Sequence, residues 1–295
     1  MTTIIFVFLM FGGTFALGIG DTWRKKYLKE GIDEQSLLTV TLFLTGVLLL
    51  PVLLVVGFPE IKEGFWLPLF GTIALNLISQ NLFIRAFKLS DASLIAPLRL
   101  IIPPLVILTG FVFLGEKPTW LGAIGIIVTM IGLWFLLFKK EDATWSRLTA
   151  KLKDRGILYG LIGSVLFAIS FPLDKIVVIK SSALFGTFVI FSSLGIMTYL
   201  LNTIMKPGFN RSLTGVLTKD KKALLLISVA SSAGVFLTNQ ALNYSLAAYV
   251  SSLKRLQALW TVLLAGALLK EKEIRRRVFA TIIMFLGILL SVLIK

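Results

Sequence analysis

Apolar runs near the roughly 20 residues needed to cross ~30 Å of hydrocarbon recur along the chain, separated by short polar links. They fall at about 3–23, 35–57, 65–87, 92–114, 119–138, 156–177, 182–205, 223–246, 248–269 and 275–294, a pattern that predicts ten transmembrane helices and little extramembrane mass. One stretch occurs twice without a gap, as residues 84–117 and again as 239–272. Each copy reads as a tight polar link, a hydrophobic helix with a cation about two turns in, and a closing Glu-Lys pair. Eight positions are identical, among them Ser90 with Ser245, Ala92 with Ala247 and Glu116 with Glu271, while Arg99 and Lys254 keep only their charge. Internal repetition is a common construction of secondary transporters.

Composition agrees with the pattern. With 57% hydrophobic residues, 15% charged residues and a mean hydropathy of +0.92, the chain reads as an integral membrane protein. No basic region precedes the first apolar run, so it is expected to be a span and not a cleaved signal. The absence of cysteine and histidine excludes disulfides, thiol chemistry, metal or haem ligation through those residues and a histidine proton relay. No metal site and no cofactor are expected.

The net charge of +15 is mostly topology. Of the 30 Lys and Arg residues, 22 fall in the links after predicted spans 1, 3, 5, 7 and 9, five (Lys62, Lys117, Lys175, Lys180, Lys295) fall on the opposite side, and Arg99, Lys254 and Arg255 lie inside spans. The positive-inside rule places the basic links in the cytoplasm and both termini outside, in a multi-pass protein of the cell membrane. Nucleic acid is not expected as a partner. The largest link, 139–155, is basic, with Trp145, Leu148 and Leu152 spaced for one face, as in a linker lying on the membrane surface. It divides the chain into five-span halves, 1–138 and 156–295. Because five is odd, the second half enters from the other side, so the expected fold is an all-α integral membrane protein of ten transmembrane helices in two inverted five-helix repeats.

The stretch from Ala86 to Leu137 has a short small-residue turn before span 4, a proline midway along it (Pro103 or Pro104), the Gly115-Glu116 pair that closes it and a glycine-rich span 5. It resembles the end of a domain of the drug/metabolite transporter superfamily, specifically the EamA-like proteins. The second copy keeps Glu271 and Gly287 but has Lys270 in place of Gly115, and Ala258 and Leu259 in place of the prolines. The resemblance implies a ten-helix carrier of small metabolites working by alternating access around a central cavity. It names no substrate.

Candidate site residues follow from the cost of polarity in lipid. A central cation costs roughly 2.5–3.5 kcal/mol even on insertion-based scales, so Arg99, Lys254 and Arg255 either snorkel, pack between helices or face a ligand. Asn76 and Gln80 share a face of span 3, and Asn239, Gln240 and Asn243 repeat the pattern in span 8. They serve interhelical bonding or substrate contact. Trp260 is too deep for an interfacial belt and either stacks on substrate or fills the core. Pro97, Pro103, Pro104 and Pro172 are hinge candidates whose freed carbonyls need other partners. Asp21 and Asp174 are the acids nearest a transport path, either for proton coupling or as end-located ion pairs. For Glu116 and Glu271 the expected role is capping or local pairing, not catalysis.

The function expected is a secondary transporter, not an enzyme, for a small polar anionic or zwitterionic metabolite such as an amino acid. Direction, export included, is left open, as is monomer or homodimer. The bilayer and the solute are the expected partners. The competing class, an integral membrane enzyme acting on a lipid-linked substrate, would call for clustered acids, histidine or cysteine, and the sequence has no such cluster.

Overall fold

The computed structural model describes residues 2–90, 95–137, 154–269, 282–284, 286–287 and 290. The linker over 139–153, most of the tenth predicted span, Glu271 and Lys272 lie outside the described residues. Among the described residues every regular element is a helix: α1 (Thr2–Lys29), α2 (Glu34–Val47), α3 (Leu50–Val56), α4 (Trp66–Leu89), a 3-10 turn (Ala96–Ile101), α5 (Ile102–Leu114), α6 (Trp120–Leu137), α7 (Arg155–Lys180), α8 (Ala183–Met205), α9 (Phe209–Lys219), α10 (Lys221–Gln240), a second 3-10 turn (Ala241–Asn243), α11 (Ala247–Leu253) and α12 (Leu256–Leu269). Among the described residues six stretches are long and apolar enough to cross a membrane: Thr2–Leu28, Glu34–Val56, Trp66–Leu89, Arg155–Lys180, Ala183–Met205 and Lys221–Asn243. They coincide with predicted spans 1, 2, 3, 6, 7 and 8. Leu98–Leu114 and Trp120–Phe135 are shorter apolar helices.

Spans 4 and 9 are not the continuous helices that hydropathy suggests. In the described part of span 4, Arg99 sits in a 3-10 turn over Ala96–Ile101, and the α-helix α5 follows from Ile102. Pro103 and Pro104 therefore stand in the first turn of α5 and do not kink the middle of a helix. A missing N–H is tolerated there, because first-turn donors have no intrahelical acceptor. Span 9 breaks between α11 and α12 at Lys254 and Arg255 without any proline. The tightening shows in bonds of 3-10 type, from the Arg255 amide to Ser252 O (3.0 Å), Gln257 to Lys254 O (3.1 Å) and Ala258 to Arg255 O (3.0 Å). Each break falls at the repeated cation. Pro172 lies inside α7, and the carbonyl it deprives, Ala168 O, accepts from the Thr109 hydroxyl at 2.7 Å.

Helix packing repeats between the halves. α1 packs along α10 as α4 packs along α7, α1 meets α12 as α7 meets α5, α10 meets α2 as α4 meets α8, and α2 with α8 and α5 with α11 pair across the halves. Exchanging the halves turns the two members of each of the first three comparisons into one another and leaves α2 with α8 unchanged. The register agrees. A Cβ at Gly13 would come within 3.0 Å of Gly234 O and 2.8 Å of Thr238, and one at Gly163 within 3.4 Å of Ser79 O and 3.3 Å of Phe83. Gly163 follows Gly13 by 150 positions, while Gly234 and Thr238 follow Ser79 and Phe83 by 155.

The link after span 7 contains an element that hydropathy alone did not predict. α9 buries Val216 beside Tyr27, Leu37, Ala223 and Leu224, and Phe209 beside Tyr199. It is tied down by Tyr27 Oη donating to Asp220 O (3.0 Å), Lys219 Nζ to Glu30 O (2.7 Å) and Lys206 Nζ to Asp33 Oδ1 (2.5 Å). Asp33 also caps α2 through the Ser36 amide and hydroxyl, both 2.9 Å. Partial burial opposes its charge, but the bonds from Lys206 and Ser36 outweigh it and hold the carboxyl below its ordinary value. A depressed carboxyl stabilises the fold above its unfolded value, about 4, and that contribution is lost as pH falls through the folded value. Asp33→Ala should cost about 1 kcal/mol at neutral pH. Thermal unfolding of purified wild-type and variant protein checks this, and the gap should close below about pH 4.

Candidate functional site

α4 and α7 run antiparallel. Ser79 Oγ donates to Gly163 O (2.8 Å) and Asn76 Nδ2 to Ser170 Oγ (2.6 Å), and the Lys62 amide meets Lys180 O (2.9 Å) before α4 begins. The C-terminal ends of α4 and α7 therefore lie at opposite faces of the bundle. A cavity opens near each end.

The cavity near the C-terminal ends of α4 and α1 has a volume of about 330 Å³. Its polar lining is Arg24 from α1, Glu34 from α2, Gln80 from α4, Arg99 from the 3-10 turn and Arg255 from the break in span 9. Arg99 stacks its guanidinium 4.2 Å from the centre of the Phe83 ring and 5.4 Å from that of Phe87, a cation–π arrangement that holds a charge without neutralising it. Arg24 pairs with Asp21 at 3.2 Å. The Nε atoms of Arg24 and Arg255 and Oε1 of Gln80 are buried and have no hydrogen-bond partner. Buried polar atoms are nearly always satisfied, so three orphans in one cavity mark a place shaped for something else.

Asn76 does not reach that cavity's polar lining. Its amide nitrogen donates to Thr72 O (3.0 Å), Thr72 Oγ1 (3.0 Å) and Ser170 Oγ (2.6 Å), and Thr72 Oγ1 donates in turn to Asp174. The four side chains form a knot between α4 and α7. Lys254 lies with Nζ 5.2 Å from the Phe171 ring centre, one turn before Asp174, and it interacts electrostatically with that carboxylate. Asn239 likewise donates to Thr187 Oγ1 across α10 and α8 (2.9 Å). Trp260 donates to Thr14 Oγ1 (3.2 Å) and sits edge-on to Phe15 at 5.3 Å, where Gly18 leaves room for it. Asp21 accepts from Gln257 as well as Arg24. Gln240 ends α10, half-buried.

At the other face a cavity of about 630 Å³ is lined by Lys117, Thr119, Lys175, Asn243, Ser245 and Tyr249, with apolar neighbours. Asn243 is thus far from Gln80 and Arg99. Lys175 is 8% exposed and bonds to Glu116 Oε1 and Ser245 O, both at 2.6 Å. Glu116 does act as a cap, but of α11, by accepting from the Ala247 amide at 2.7 Å.

Sequence reasoning thus found Gln80, Arg99 and Arg255 and missed Arg24, Glu34, Lys175 and the Thr72–Ser170 hydroxyls. By sequence Arg24 and Lys175 read only as topological charges of the links. The available signal was the repeat: Lys175 follows Lys25 by the same 150 positions that separate α7 from α1.

The profile of the EamA-like transporter family matches residues 4–138 and 154–293. A solved structure titled "Crystal structure of protein" superposes with a TM-score of 0.71 at 12% identity, covering 99% of this chain and 97% of that one. At that identity it establishes a shared fold alone. No curated protein matches the chain by sequence.

Asn76 and Gln80, one helical turn apart, should respond differently to the same change. Asn76→Leu removes the donor to Ser170 Oγ and Thr72 Oγ1 and should cost about 1–3 kcal/mol in thermal unfolding. Gln80→Leu replaces an amide whose oxygen is already unpartnered and should leave the unfolding temperature within experimental scatter of wild type.

Proposed function

The chain belongs to the EamA-like transporter family, and from that premise we propose that it is a secondary carrier for a small polar metabolite bearing an anionic group. It crosses the cell membrane ten times as two inverted five-helix repeats, the units 1–138 and 156–295 joined by a cytoplasmic linker, and works by alternating access. The exchange symmetry of the helix pairings and the bias of Lys and Arg toward alternate links support this reading.

The observation that carries the substrate class is the convergence of Arg24, Arg99 and Arg255 on one cavity that holds a single further acid, Glu34. An oxyanion would accept from the two unpartnered Nε donors and lie beside the Arg99 guanidinium, which forms forked bonds to carboxylate or phosphate. A hydroxyl or ammonium on the same solute would donate to Gln80 Oε1 and Glu34. At about 330 Å³ the cavity is at the small end of ligand sites, which run from about 300 to 1,000 Å³. Metabolites of amino-acid size fit it. Lys254, just beyond the cavity and facing Asp174, is the next cation such a solute would meet. Asn76, Asn239 and Trp260 are assigned to the frame that holds the cavity. Asp174, which accepts from Thr72, is the candidate acid for proton coupling, because Asp21 is ion-paired with Arg24.

Screening the purified protein against a metabolite library by thermal shift should single out anions, and counterflow of the best hit in liposomes should show transport. Arg99→Leu and Arg255→Leu should each lower uptake at least about tenfold, since a charge-assisted hydrogen bond contributes about 1.5–3 kcal/mol, with unfolding profiles intact. Unchanged uptake kinetics in Arg99→Leu would remove that residue from the site.

A further inference from the structure

We propose that Glu116 and Lys175 are the positioning pair of a clamp that holds the carrier shut at the face opposite the arginine cavity. On the alternating-access reading, on which this rests, the pair parts whenever substrate passes that face.

The clamp begins with a backbone reversal. Gly115 ends α5 in the left-handed region, at φ +66°, with its amide bonded to Phe111 O (3.0 Å) and the Glu116 amide to Gly110 O (3.2 Å), a C-terminal cap that suits glycine. The turn folds Glu116 back over α5, where a Cβ at Gly110 would stand 3.3 Å from Glu116 Oε2. From there the carboxylate uses both oxygens, Oε1 on Lys175 of α7 and Oε2 on the Ala247 amide that opens α11. Lys175 completes the ring through Ser245 O. Three segments that are remote in sequence are thereby joined: the link after span 4, the end of α7 and the link between spans 8 and 9.

Place and chemistry both suit a gate. Lys175, Ser245 and the 630 Å³ cavity share a boundary, and beneath them lies an apolar plug in which Val106, Phe171, Leu242 and Leu253 are buried. Substrate taking this route meets the clamp first. Its contacts are one ion pair and hydrogen bonds to two backbone groups, and Lys175 and Ser245 line a cavity wide enough for water. When they part, each group can be hydrated in place, so opening strands no charge in an apolar environment.

The internal repeat points the same way. Of the eight identical positions in the two copies, three supply the clamp: Glu116, Ser245 and Ala247, whose counterparts in sequence are Glu271, Ser90 and Ala92. Lys175 has Lys25 as its counterpart at the offset that relates α7 to α1. Residues matched in both halves are those that a mechanism with two equivalent faces requires.

The chain contains no cysteine, so Ala168→Cys introduces its single thiol. Ala168 is 1% exposed and lies seven residues, two turns, below Lys175 on the same side of α7. Single-cysteine protein in proteoliposomes is exposed to a membrane-impermeant maleimide from one face or the other. Glu116→Gln and Lys175→Met should each raise the labelling rate from the Lys175 face by about tenfold or more, the bias expected from losing one charge-assisted contact. Labelling from the arginine face should not rise, and Glu116→Asp, which keeps the charge but shortens the reach, should give an intermediate rate even if Glu116→Gln folds poorly. An unchanged rate from the Lys175 face, or an equal rise from both faces as in a loosened bundle, overturns the proposal. No ligand enters the measurement, so failure of the anionic-substrate reading would leave its result untouched.

Discussion

A charged side chain within an apolar bundle needs a partner or water supplied by the protein itself, and that requirement organises the centre of this molecule. Arg99 and Lys254 are the clearest cases. Each stands where its helix gives up regular α-helical bonding, and each presents its charge to an aromatic ring, Phe83 or Phe171. The break and the charge support one another. A tightened or interrupted helix exposes polar backbone that is tolerated only where it is buried in protein or lines a cavity, and at Arg99 the charge itself borders one. Two further charges are handled by pairing, Lys175 with Glu116 and Arg24 with Asp21.

The two halves share a frame but fill it differently. Arg24 stands 150 positions before Asp174, the offset that relates α1 to α7, and Arg99 stands 155 before Lys254, the offset that relates α4 to α10. Near one broken helix a second cation faces the first, while near the other an acid faces it. The frame can therefore be symmetric while the field inside it is not. An anion held among Arg24, Arg99 and Arg255 would leave toward a region where Asp174 already offsets Lys254. On the proposed reading, selectivity and coupling belong to the mismatches between the repeats, and the shared residues Glu116, Ser245 and Ala247 to the geometry.

How much of this was legible in the sequence depended on the length scale of each signal. Hydropathy locates the six long spans well, because one physical quantity is averaged over some twenty residues. It misreads spans 4 and 9, since a break of a few residues at Arg99 or Lys254 hardly alters a window average, and Pro103 and Pro104 look alike whether they kink a helix or begin one. It also hides α9, whose apolar residues Phe209, Leu213 and Val216 are diluted by polar neighbours. In the cavity, Gln80, Arg99 and Arg255 were legible because polar groups in apolar runs are costly anywhere. Arg24 and Glu34 were not, because charges at helix ends are ordinary, and only the packing of α1, α2 and α4 turns these two inward. Asn76 and Gln80 show the limit of helical periodicity. They share a face, yet one ties α4 to α7 and the other lines a cavity, a distinction set by the neighbouring helix.

The central claim is that the arginine cavity holds the anionic group of the transported solute. A structure determined with the metabolite that most stabilises the protein tests it most directly. The account predicts an anionic group within hydrogen-bond distance of Nε of Arg24 and Nε of Arg255, beside the Arg99 guanidinium. A solute seated elsewhere, or one turning a cationic group toward those arginines, would contradict it.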